Sequence, residues 1–138
     1  MPDHRTLFEA LRLRPGMYVQ EPTYAVLSAF VVGYDVALDG GVLCGFREWL
    51  ITRLRGPNNL AWPGLVLCAA FPKASNPEAE VRSSPASQEH AIRVMFELLG
   101  EFETLRAELD GMRKIFAKYE RWLRTQSWYT PDSPHWIG

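Results

Sequence analysis

Apolar residues recur along most of this chain at three- and four-residue spacing, the period of a helix that buries one face. Thr6-Leu7-Phe8-Glu9 fits a capping box, in which a hydroxyl and a carboxylate satisfy the free amides of a helix start. A first helix opening at Asp3 or Thr6 therefore carries Leu7, Phe8, Leu11 and Leu13 on one stripe. Pro15-Gly16 ends it, because proline disfavours helical backbone at Arg14. Met17-Tyr18-Val19 reads as a short extended piece. Thr23 then caps a second helix with Leu27, Phe30, Val31, Tyr34 and Leu38 at helical spacing, stopped by Asp39-Gly40-Gly41. A third helix over 46–54 turns Phe46, Trp49, Leu50 and Leu54 inward and Arg47, Glu48 and Arg53 to water.

Residues 60–71 form a short apolar run that suits a buried strand or a buried helix, and its helical neighbours favour helix. Residues 72–85, rich in proline and serine, predict a loop. Ser84-Pro85 is a start signal, a capping serine followed by proline at the first helical position. Beyond it Ala91, Met95, Leu98, Phe102, Leu105, Leu109, Met112, Phe116, Tyr119 and Leu123 alternate by four and three, a heptad seam. The phase runs straight through Asp110-Gly111, which predicts one long helix over 85–124. A hairpin turning at Asp110-Gly111 is the alternative. The fold class expected is all-α, a helical bundle with a long C-terminal helix. Residues 1–124 form its single domain, and 125–138 an irregular aromatic tail.

The bulk numbers narrow the function. A chain of 138 residues suits one domain with a core of its own. With 47% hydrophobic and 22% charged residues it is too apolar for disorder. Fifteen basic residues against 16 acidic leave a net charge of −1, without the basic excess typical of nucleic-acid binders. Cys44 and Cys68 make no disulfide framework, the N-terminus lacks a signal-peptide apolar stretch, and no run reaches membrane-span length. A cytoplasmic protein without nucleic-acid or membrane partners is expected.

No catalytic, cofactor or metal motif emerges. His4, His90 and His135 are scattered, and neither cysteine has a ligand neighbour at zinc spacing. His90 suits a solvated helix face, and both thiols suit structural positions. The expected chemistry is recognition instead. Glu97, Glu101 and Glu108 give the long helix an acidic side, which would select and speed a basic partner. Trp128 and Trp136 lie in a segment poor in other apolar residues, so they are the aromatic anchors expected at an interface.

Arg14-Pro15-Gly16-Met17-Tyr18 is the most distinctive string. A similar string follows a short helix in the ATPase domain of gyrase-type topoisomerases. Ala29–Asp35 holds neither the glutamate nor the asparagine that domain requires. More of the chain resembles a family of small bacterial proteins found beside polymorphic toxins of the Rhs and contact- or secretion-delivered kinds, whose role is read as immunity. Arg14–Tyr18, the helix Leu27–Tyr34 ending in Gly-Tyr, Phe46–Leu50, the Trp-containing Leu60–Leu67 and the acidic Ala91–Phe102 follow its order over roughly residues 6–103. Gln20 and Val32 depart from the pattern, where glycine and an acidic residue are expected. The resemblance implies stoichiometric binding of a cognate toxin, with its active or substrate site covered and no reaction of the chain's own. The alternative reading is a homo-oligomeric adaptor, a homodimer through the 91–123 seam.

Overall fold

The computed structural model describes residues 4–130, and these form helices joined by turns, with no strand among them. Helix α1 spans His4–Leu13, and a single 3-10 turn follows at Pro15–Met17. Then come α2, Tyr24–Ala37; α3, Phe46–Leu54; α4, Trp62–Ala70; α5, Pro77–Val81; α6, Pro85–Ala107; and α7, Gly111–Arg124. The all-α class is as expected.

A capping side chain sets three of the starts. Thr23 Oγ1 accepts the Val26 amide at 3.2 Å and Ser84 Oγ the Ser87 amide at 3.0 Å. Each cap satisfies one of the donors a helix start leaves free. Asn76 Oδ1 does the same for Ala79 at 3.2 Å, nucleating α5 inside the segment expected to be loop. A one-and-a-half-turn helix carries no apolar periodicity, so only this cap and Pro77 announced it. The run over 60–71 is helical, as α4. The piece expected to be extended at Met17-Tyr18-Val19 instead closes the 3-10 turn: Met17 is its last residue, and the Tyr18 and Val19 amides both bond the Pro15 carbonyl, at 2.9 and 3.0 Å. Leu13, expected on the buried stripe, is 63% exposed.

Helix α6 touches every other helix and is the axis of the core. Helix α3 is enclosed by α4, α6 and α7, and its most extensive packing is on α7. Gly45, before α3, faces Met112 and Phe116, while Gly56, after α3, faces Trp122. The two helices therefore run parallel. Fully buried Phe46 lies at their centre, its ring 5.1 Å from Phe102, 5.4 Å from Trp62 and 6.0 Å from Trp49. Enclosure on three sides overturns the wet face assigned to α3: Arg47 and Glu48 are buried, at 4% and 2% exposure. Arg47 is held there by donating Nε–H to the Leu60 carbonyl at 2.8 Å and a second N–H to the Asn58 carbonyl.

The single helix expected over 85–124 is two. Glu108 leaves helical geometry at φ −68°, ψ 155°, and Asp110 adopts the left-handed region at φ 58°. Gly111 then passes so close to α6 that a Cβ would stand 2.2 Å from the Leu105 carbonyl oxygen. The hairpin alternative is the observed one. The seam kept its phase because both arms face one core: Ala91, Met95, Leu98 and Phe102 from α6 and Tyr119 and Leu123 from α7 are all buried in it. Leu109, at the turn, is 87% exposed.

The link between α2 and α3 is held from two sides. Asp35 Oδ1 accepts the amides of Val42 (3.1 Å) and Leu43 (2.9 Å). Arg106, near the end of α6, donates to the carbonyls of Val42 and Gly41. Among the described residues no helix is long and apolar enough to cross a membrane.

Candidate partner-binding surface

Glu97, Glu101, Thr104 and Glu108 fall at intervals of four, three and four residues, so they share one stripe along α6. All four are exposed. Helix α6 presents this stripe outward because Leu98, Leu99 and Phe102 occupy its opposite side in the core. Glu101, Thr104 and Glu108 line one shallow cleft, whose other wall is Trp49 and Arg53 of α3. A second cleft of about 270 Å³ continues from it over Trp49, Arg53 and Leu105 to Lys114 and Lys118 of α7.

The resulting groove has two signs. Carboxylates of α6 stand on one side and ammonium groups of α7 on the other, with a half-buried indole between them. Arg53 bridges the sides. Its guanidinium pairs with Glu101 and lies 5.3 Å from the centre of the Trp49 ring. Both ends of that ion pair are half exposed, so it contributes at most about 1 kcal/mol. A partner cation can therefore displace Arg53 from Glu101 at small cost. Glu97 and Glu108 make no ion pair among the described residues.

The residues expected at an interface are thus only partly assembled. Glu97, Glu101 and Glu108 share a face. Trp128 is 51% exposed but lies beyond the end of α7, away from Glu108 at its start. The 14 residues of α7 separate them by about 21 Å at helical rise. Trp136 lies outside the described residues. Trp49, Arg53, Lys114 and Lys118 were not anticipated at the site. Trp49 reads as plain core from its spacing, and only the α3–α6 crossing leaves its edge at the surface.

The histidines and cysteines are not among the residues that line these two clefts. His90, expected on a solvated face, donates Nε2–H to the Ala70 carbonyl at 2.8 Å and stacks edge-on against Phe71, tying α6 to the end of α4. His4 Nδ1 meets the Tyr34 hydroxyl at 2.6 Å. Cys68 is half-buried, and burial raises its thiol above the usual range, with nearby Glu78 adding to the effect. Cys44 is exposed. Among the described residues no three His, Cys, Asp or Glu side chains converge as metal ligands would.

Comparison of the chain with protein-family models, with curated protein sequences and with solved structures finds no match.

Proposed function

We propose that this chain is an immunity-type inhibitor, which binds a cognate toxin protein in the cytoplasm and covers its active or substrate site. The observation that carries the reading is the exposed carboxylate stripe of α6 beside the Trp49 indole, on helices fixed by a shared core. Rigid acids next to a half-buried aromatic suit a basic protein surface: charge draws the partner in and the ring anchors it. The family resemblance of residues 6–103 points the same way. The seam that self-assembly would use is enclosed in the chain's own core, which favours a different partner over a second copy.

The test is capture of the neighbouring toxin, expressed in inactive form, with this chain as bait. Wild type is expected to give a one-to-one complex. The triple variant Glu97→Lys, Glu101→Lys, Glu108→Lys is expected to associate at least about tenfold more slowly at low salt, the difference shrinking as salt screens the charges. An unchanged rate in a folded triple variant removes the stripe from the interface. Recovery of the bait alone, as a defined oligomer, refutes the immunity reading.

A further inference from the structure

Two stripes of opposite charge run side by side on this molecule. The acidic one, through Glu97, Glu101, Thr104 and Glu108, belongs to α6. Lys114, Lys118 and Arg121 fall at intervals of four and three residues along α7, so they too share one stripe, and all three are exposed. The turn before Gly111 sets the stripes antiparallel. Between them lie the half-buried Trp49 and Leu105 and the buried Ile115, which line the same cleft as Lys114 and Lys118.

Long charged side chains on neighbouring helices can close on each other across such a cleft. These do not: among the described residues none of Glu97, Glu101 and Glu108 pairs with Lys114, Lys118 or Arg121. Trp49 and Arg53 stand between the walls, with Arg53 paired to Glu101. The Trp49 ring is held from beneath, its centre 6.0 Å from that of Phe46 and 6.1 Å from that of Phe102. An apolar floor therefore stays open between an acidic and a basic wall, and both walls keep charge for a third body.

A uniformly basic partner surface would satisfy one wall and be repelled by the other. An extended segment would bring amides and carbonyls that the walls cannot bond, since the backbone groups within α6 and α7 are used inside each helix. A helix satisfies its own backbone and presents side chains alone. We propose that the cleft receives an amphipathic helix of the partner protein. Its apolar side chains lie on Trp49, Leu105 and Ile115, its cations face α6 and its carboxylates face α7. That the partner is a toxin rests on the immunity reading; the charge pattern of the helix does not.

The probes are three peptides held helical by a hydrocarbon staple on the outer face, all with the same leucine stripe. One carries lysine on one flank of the stripe and glutamate on the other; the second carries lysine on both flanks, the third glutamate on both. Each is titrated into the full chain at low salt and followed by the indole signal of Trp49 in NMR. The two-signed peptide is expected to bind about fivefold or more tighter than either control, because each control turns exposed pairs on one wall from attraction to repulsion. The margin shrinks as salt rises. The double variant Lys114→Glu, Lys118→Glu, at two exposed positions, is expected to reverse the order and prefer the all-lysine peptide. Absence of saturable binding, equal binding of the three peptides, or an unreversed order in the folded variant overturns the proposal. Toxin capture then reads the source. The double variant is expected to associate more slowly than wild type, whereas a uniformly basic partner would join it faster, and faster or unchanged association overturns the two-signed partner. The titration needs no toxin, so its failure and the failure of the immunity reading are told apart.

Discussion

Replacing Gly111 by alanine decides between a continuous helix and a hairpin by the sign of one free-energy change. In a helix running unbroken through 85–124, alanine would be preferred over glycine by up to about 1 kcal/mol, and the variant would be more stable. In the hairpin an added Cβ would lie 2.2 Å from the Leu105 carbonyl oxygen, 3.0 Å from that of Arg106 and 3.2 Å from its carbonyl carbon. These are well inside the roughly 3.5–4.0 Å at which non-bonded heavy atoms attract. All three are backbone atoms, so no rotamer change relieves the overlap. Either the last turn of α6 or the start of α7 must move, and Ile115 and Tyr119 would leave their core positions with it. Overpacking of this kind costs about 1–3 kcal/mol, and the rigid neighbours place Gly111→Ala near the upper end. A loss of about 3 kcal/mol lowers the melting temperature of a domain this size by about 10 °C. Urea unfolding followed by tryptophan fluorescence and by far-ultraviolet circular dichroism would measure it, given coincident transitions. Leu109→Gln is the companion measurement. At 87% exposure it is expected to change stability by less than about 0.5 kcal/mol, whereas a buried seam residue would cost several times more. A Gly111→Ala protein as stable as wild type would refute the reasoning.

Other substitutions probe the α2–α3 link and the buried Glu48. Arg106→Gln removes charged donors from the Val42 and Gly41 carbonyls and is expected to cost about 2 kcal/mol, with faster hydrogen exchange at Val42 and Leu43. Asp35→Ala frees the same two amides from the opposite side and should speed their exchange likewise. Burial raises the Glu48 carboxyl above its ordinary range, against the opposing pull of its own amide and Arg47. Between the unfolded and the raised folded value, the folded state holds a proton that the unfolded state has released. Stability from this group therefore falls as pH rises through that window. Glu48→Gln is accordingly expected to melt higher than wild type at neutral pH, with the gain narrowing as pH drops below the unfolded value. A pH-independent difference would contradict this assignment.

The sequence made helix starts legible where a side chain caps its own backbone, as at Thr23 and Ser84, since that chemistry is local. It made the α3 boundaries legible too, yet misassigned two of its residues. Arg47 and Glu48 follow the polar positions of a surface helix, and nothing within nine residues reveals that three other helices enclose them. The hairpin was obscured for a related reason. Two antiparallel arms facing one core preserve a heptad phase, so periodicity alone cannot distinguish them from one rod. The steric demand at Gly111 depends on where α6 ends, which is a tertiary fact. Of the proposed binding residues, the carboxylates of α6 were readable as a helical stripe. The Trp49 edge and the lysines of α7 join them only where separate elements cross.

The placement of α6 and α7 also bears on when the chain acquires its structure in a cell. Helices α1, α2 and α4 pack on α6, and α3 packs most on α7. Chain emerges from the ribosome N-terminus first, at about 5–20 residues per second. The first 84 residues thus appear with α6 still unmade, and with it Phe102, the nearest ring to Phe46. Short-range pairs such as α3 with α4 can form early, but the hydrophobic interior closes only when Tyr119 and Leu123 arrive. Every nascent copy passes through an interval with much of its apolar surface uncovered, and α7 is the helix that ends it.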